Sequence, residues 1–277
     1  MVIRINNFVR IMIPFGLTQV LGIYAAYKFL PDFLAIQPAG FSQFSFLDLI
    51  ILAAFAVVFI FVAVRFKKVG SVAFRGFLAL LIFSGTQAIW GIWFAPLVST
   101  VLALAVTVLF WFLRNVIMQN IAMVFTLAGI GAVLGLSLLP MTVIYILVIF
   151  SFYDIIAVYK TGHMIKLAQA MIESRAIFGF VIPEPGQTAR RKISSVTPGQ
   201  GFMILGSGDV IFPLLLSASL VRISLLSAGI VAVFSIPGLL LMHLIFTNQK
   251  SRRPMAALPP IALLTILGYL VAIISNF

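Results

Sequence analysis

Runs of about twenty apolar residues follow one another along nearly the whole chain, each long enough to cross the hydrocarbon core of a bilayer as a helix. A soluble domain needs roughly 25% charged residues to cover its surface. Here 9% of 277 residues are charged, 63% are hydrophobic, and mean hydropathy is +1.23. The sequence therefore specifies an all-α, polytopic membrane protein. Cysteine is absent, which removes disulfides, thiolate metal sites and cysteine nucleophiles from consideration.

Nine spans can be drawn, at approximately 11–30, 46–64, 73–91, 95–113, 119–138, 141–160, 200–221, 224–246 and 255–275. Two junctions are short: Trp93-Phe94-Ala95-Pro96 separates the third and fourth spans, and Pro140 the fifth and sixth. Merging either pair would give eight. The cations decide between these counts, because Lys and Arg collect on the cytoplasmic side of a correctly drawn topology. Nine spans place sixteen of the 18 Lys and Arg on one side and leave Lys28 and Arg222 on the other. That split puts the N-terminus in the cytoplasm and the C-terminus outside. The net charge of +12 is thus a topology signal, and no DNA- or RNA-binding motif accompanies it, so nucleic acid is not an expected partner.

Arg4 and Arg10 before an apolar stretch ending near Ala25-Ala26 have the outline of a signal peptide, but a retained first span is the preferred reading. One loop is long. Residues 161–199 divide the chain into a six-span part (1–160) and a three-span part (200–277), and the spacing of Ile165, Ala168, Ile172 and Ala176 predicts an amphipathic surface helix from His163 to Ile177. The rest of the loop, with Pro183, Pro185 and Pro198, reads as a mobile linker.

There are only 6 acids. Asp32 is expected in the first external loop, Asp48 at the first turn of the second span, and Glu173 and Glu184 in the long loop. Asp154 and Asp209 instead fall inside apolar spans, where an ionisable acid costs about 2.5–3.5 kcal/mol on insertion scales. At a helical rise of 1.5 Å they lie roughly 9 and 15 Å from the cytoplasmic ends of their helices, similar depths given soft boundaries. If those helices are neighbours the carboxyls can face each other. Two like charges about 3 Å apart in a poor dielectric cannot both ionise, so such a pair would share a proton. This is the working state of an aspartic protease dyad: the carboxylate takes a proton from water while the acid protonates the scissile carbonyl.

The surroundings of Asp209 favour a site over a tolerated acid. Gly206 and Gly208 bare the backbone before it, and Pro213, four residues on, frees a carbonyl in the following turn. Tyr153-Asp154, Gly206-Ser207-Gly208-Asp209, the nine-span layout and the loop between the sixth and seventh spans together resemble the presenilin and signal peptide peptidase family of GxGD intramembrane aspartyl proteases, in a compact archaeal-type form. The resemblance covers nearly the whole chain. The family's Pro-Ala-Leu motif corresponds to Ala256-Ala257-Leu258-Pro259, with alanine at its first proline. By this resemblance Asp154 and Asp209 are catalytic, and Tyr153, Gly206, Ser207, Gly208, Ala257, Leu258 and Pro259 shape the site or hold substrate. The resemblance implies hydrolysis within transmembrane helices of membrane-protein substrates, in the bilayer, without a cofactor; homo-oligomerisation is compatible with it. The inferred orientation is that of the presenilin branch. A substrate helix must unwind to expose its scissile bond, and the strand needed to receive it is expected at the end of the long loop or beside Leu258.

Other features have plainer readings. His163 and His243 do not make a metal motif. Ser207 lacks a GxSxG frame. Gly131 and Gly135 form a GxxxG packing face, and Arg114 and Arg222 are placed to snorkel towards headgroups. Tyr153 either hydrogen-bonds at the site or packs there. Intramembrane acids beside glycine-broken helices also suit a proton- or cation-coupled transporter or channel, but such proteins usually show paired broken helices, and spans one to five hold no counterpart of Gly-Ser-Gly-Asp. Prepilin peptidases share a GxGD signature but act near the membrane surface.

Overall fold

The computed structural model describes residues 5–36, 51, 67–161, 169–184, 186–193, 201–249 and 254–275. They are predominantly helical. In chain order the helices are α1 (Ile5–Ile36), α2 (Lys67–Trp90), α3 (Pro96–Leu113), α4 (Val116–Ser137), α5 (Pro140–Ile155, continued by a π-helical turn Ile156–Lys160), α6 (Ser207–Leu220), α7 (Leu225–Thr247) and α8 (Leu258–Ile274). Six of the apolar helices are long enough to cross a membrane, and α6 and α8 are shorter. The expected span 46–64, and Asp48 with it, lies outside the described residues apart from Ile51.

Both doubtful junctions are true breaks. Ala95 and Leu139 are extended (φ −58°, ψ 154° and φ −74°, ψ 144°), as a residue before proline prefers, and Pro96 and Pro140 then open α3 and α5, where a missing N–H leaves no helical bond unmade. Helix α1 runs further than its hydropathy suggests. Asp32 consequently sits on its exposed last turn rather than in a loop.

Helix α4 is the hub: 67% of its apolar window is buried, against 17% for α3 and for the α5 span at the periphery. It packs against α1, α2 and α6. Without a hydrophobic drive between helices in lipid, close backbone approach has to supply the packing. The Gly131/Gly135 face does this. A Cβ at Gly131 would lie 2.5 Å from Leu214, and one at Gly135 2.5 Å from the Ala218 Cβ, both on α6.

The largest departure from expectation concerns the long loop and the seventh span. The chain is predominantly helical but adds one short strand pair: Gly179–Pro183 (β1) and Phe202–Gly206 (β2) run antiparallel, with Gly179 opposite Gly206 and Pro183 opposite Phe202. The expected seventh helix therefore starts at Ser207, not 200. The expected surface helix also stops early. Residues 162–168 are outside the described set, 169–173 are helical, and Ser174-Arg175 turn the chain, Arg175 at φ 56°, into the extended run before β1.

This segment is no loose linker. Phe180 and Val181 are fully buried, and two amides of α4 replace the missing neighbouring strand. Asn120 both donates to the Val181 carbonyl and accepts from the Val181 N–H, at 2.8 Å each, while Gln119 donates to the carbonyls of Ile177 (2.7 Å) and Gly179 (3.1 Å). Buried backbone groups need partners, and these side chains provide them.

Candidate active site

Helices α5, α6 and α8 meet where the two intramembrane aspartates lie, and α5 touches both of the others. Asp154 is the penultimate residue of α-helical α5, just before the π-helical turn. Such turns widen a helix locally and recur at functional sites. Its carboxyl is buried and meets the start of α8, where the Leu258 N–H donates to Oδ2 at 3.3 Å and the Ala257 backbone lies next to it in the chain. This is one of the amides a helix leaves unpaired at its N-terminus, where the backbone dipole favours negative charge.

Asp209 uses the same physics within its own helix. Gly206 is the residue before the first turn of α6, extended at φ −62°, ψ 147°, and Asp209 is the third residue inside. From there its carboxyl reaches back to the Gly206 backbone, the geometry of the acidic half of a capping box. It is half-buried, and its helix packs against α5, which carries Asp154. Asp209 is thus in the first turn of a helix, not deep inside one as its hydropathy suggested.

The glycines find their reason here. A Cβ on Gly206 would lie 3.1 Å from Asp209 Oδ2, with no atom outside that carboxyl group inside 4 Å. Gly179, across the strand pair, has no room at all, because its Cβ would enter the Leu205 carbonyl. A Cβ on Gly208 would touch the Phe212 ring at 3.4 Å, an ordinary contact. Ser207, between them, is pinned by its N–H to the Phe178 carbonyl at 3.1 Å.

The last-span motif is brought to Asp154 through its backbone. Residues 254–257 lie outside any helix or strand, Ala257 caps α8 with φ −92° and ψ −30°, Leu258 opens the helix with its side chain buried, and Pro259 follows within the first turn. Ala256 is buried at 5% exposure. Tyr153 differs: its side chain is 48% exposed and its ring sits edge-on to Phe150, whose ring lies 5.0 Å from Phe212 of α6.

Three supporting residues escaped the sequence reading. Gln119 and Asn120 anchor β1, as above. Gln19 of α1, 2% exposed, donates to the Val210 carbonyl at 2.9 Å, beside Asp209. Amides in apolar runs are a usable signal, since each demands a partner. His243 is buried and packs against Phe8, with ring centroids 5.7 Å apart. Among the described residues no group of three His, Cys, Asp or Glu is placed to hold a metal ion. Arg222 does not snorkel outward: its guanidinium lies 4.5 Å over the Phe33 ring, with Nε and one terminal nitrogen buried.

Comparison with known proteins bears on this geometry. The family model described as signal-peptide peptidase, presenilin aspartyl protease matches residues 41–276. Two solved structures, each described as a presenilin family intramembrane aspartate protease, are similar to the chain. The one in space group C222 is 25% identical and superimposes with a TM-score of 0.61, covering 94% of this chain and 95% of its own. The one in space group P2 is 25% identical with a TM-score of 0.59, covering 94% and 96%. No curated protein matches the chain.

Proposed function

The chain belongs to the signal-peptide peptidase and presenilin family of aspartyl proteases, and from that premise we propose that Asp154 and Asp209 are the dyad with which it hydrolyses peptide bonds. The protein is an intramembrane aspartyl protease. One observation carries the residue assignment: the two acids expected inside apolar spans come from separate segments yet sit on helices packed together, each carboxyl beside the backbone at a helix N-terminus.

In the working state the pair holds one proton. The ionised carboxyl takes a proton from a water molecule, whose oxygen attacks the scissile carbonyl carbon. The protonated carboxyl gives its proton to the carbonyl oxygen, forming a neutral tetrahedral diol. Collapse breaks the C–N bond, the leaving nitrogen gains a proton, and the dyad returns to its starting state. Backbone amides at Asp154 and Asp209 fix both carboxyls before substrate arrives, so little reorganisation is needed as charge moves.

A transmembrane helix hides its carbonyls in its own hydrogen bonds, so the substrate must open locally. Strand β2 is paired with β1 along one edge and leads directly into Asp209. An unwound substrate segment lying along its other edge would exchange its lost helical bonds for strand bonds and present a carbonyl to the dyad. Ser207, Gly208, Ala257, Leu258 and Pro259 would then border the substrate, Gly206 keeps the carboxyl clear, and Tyr153 contributes packing. The full layout is nine spans, with residues 46–64 as the second. The cation distribution supports a cytoplasmic N-terminus and long loop, and an external C-terminus.

The test is cleavage of a purified transmembrane-helix substrate in detergent by the wild type, Asp154→Asn and Asp209→Asn. Either substitution should abolish product while leaving the melting temperature near wild type. Retained cleavage in both variants refutes the dyad.

A further inference from the structure

A second place in the fold is built for a ligand. At the end of the bundle that carries the long loop, a cavity of about 230 Å³ is walled by Arg75 of α2, Arg114 between α3 and α4, and Arg175 and Lys192 from the two arms of the loop. No acid is among its lining residues within the described part of the chain. Four cations from four separate segments converge there, which concentrates positive potential and favours an anion.

The arginines are held in place. Arg75 Nε donates to the Ser174 carbonyl at 2.7 Å, and Arg114 Nε to the Trp111 carbonyl at 2.9 Å, with the Arg114 guanidinium 4.5 Å over the Trp111 ring. Arg114 (φ 43°) and Arg175 (φ 56°) are also the two non-glycine residues with left-handed backbone among the described residues. Each ends a helix in this conformation, a common helix stop, so the helix ends set where both side chains start.

The rim identifies the source of the anion. Phe110, Trp111, Phe112 and Leu113 complete one side, and Phe112 is 80% exposed at the end of a membrane-crossing helix. An amphiphile fits this: a phosphate among the cations and acyl chains along the apolar end of α3. The cavity is smaller than the usual drug-sized pocket but admits a phosphodiester. We infer that Arg75, Arg114, Arg175 and Lys192 bind the phosphate head of an anionic phospholipid, a site separate from the aspartates that fastens the long loop to α2 and α3.

Trp111 is the reporter. With Trp90→Phe and Trp93→Phe it becomes the sole tryptophan. In vesicles of phosphatidylcholine containing a minor fraction of brominated lipid, Trp111 should be quenched several-fold more by brominated phosphatidylglycerol than by brominated phosphatidylcholine. Each cation near an anionic headgroup is worth roughly a fivefold enrichment, so Arg75→Gln with Lys192→Gln should remove most of the preference. Arg190→Gln with Arg191→Gln, which removes equal charge from the same loop outside the cavity, should keep it. Equal quenching by the two lipids in the unsubstituted cavity overturns the proposal, whether or not the variants fold. Equal loss in both double variants also overturns it, because surface charge alone then explains the preference. Displacement of the brominated lipid by inorganic phosphate, but not by chloride at the same ionic strength, overturns the lipid assignment in favour of a free anion.

Discussion

Alanine at Gly206 separates catalysis from folding. The native backbone there, φ −62° and ψ 147°, suits alanine, and the added Cβ meets no atom outside the Asp209 carboxyl group within 4 Å. Substituting glycine where the backbone is compatible stabilises by about 0.4–1 kcal/mol through the unfolded chain, so Gly206→Ala should melt at or slightly above the wild-type temperature. The one crowded contact is 3.1 Å to Asp209 Oδ2, a few tenths of an ångström inside ordinary contact. Relieving it turns the carboxyl away from the Gly206 amide and from Asp154. Misplacement by about 1 Å can cost 10²-fold in rate, so a shift of a third of that predicts roughly a fivefold to tenfold fall in kcat, with KM little changed. The assay is substrate-peptide cleavage in detergent beside a melting curve on the same sample. Cleavage within twofold of wild type would refute this account of the glycine, as would a large loss of stability.

Gly179→Ala is the contrasting case: its Cβ runs into the Leu205 backbone, so both stability and cleavage should fall, seen as a lower melting temperature and lost product. Gln119→Leu leaves the Ile177 and Gly179 carbonyls without their donor and should destabilise by about 1–3 kcal/mol for each buried group left unpaired, measured by chemical or thermal denaturation in detergent. Gly135→Val forces α4 away from Ala218 of α6 and should lower stability by about 1–3 kcal/mol while reducing cleavage, because α6 carries Asp209. Cleavage by the wild type should pass through a maximum with pH and decline on both sides, since a doubly protonated pair lacks its base and a doubly ionised pair its acid. A rate that only rises with pH would contradict a shared-proton dyad.

What the sequence disclosed and what it hid follow from the range of the interactions involved. Apolar run length and the prolines at 96 and 140 act within a few residues, and the helices begin where they indicate. The scarcity of acids singled out Asp154 and Asp209 without any three-dimensional knowledge, because lipid penalises each alone. The hairpin was missed because Phe202-Met203-Ile204-Leu205 is as apolar as any span, and hydropathy cannot tell a buried strand from a helix. Its identity depends on Gln119 and Asn120, some sixty residues away from β1. Helix α1 continues past its expected end because Pro31 is accommodated inside it and the apolar run carries on to Ala35.

The hydrogen bond that the Leu258 N–H donates to the Asp154 carboxyl joins positions separated by 104 residues. Translation delivers Asp154 and Asp209 to the membrane well before α8 is made. Until α8 arrives, Asp154 has a carboxyl in lipid without its amide partner, and the dyad has one unsupported member. If the two aspartates act as the proposed dyad, a chain lacking α8 leaves Asp154 without this donor and should cleave no substrate, so that α8 would serve as the safety catch.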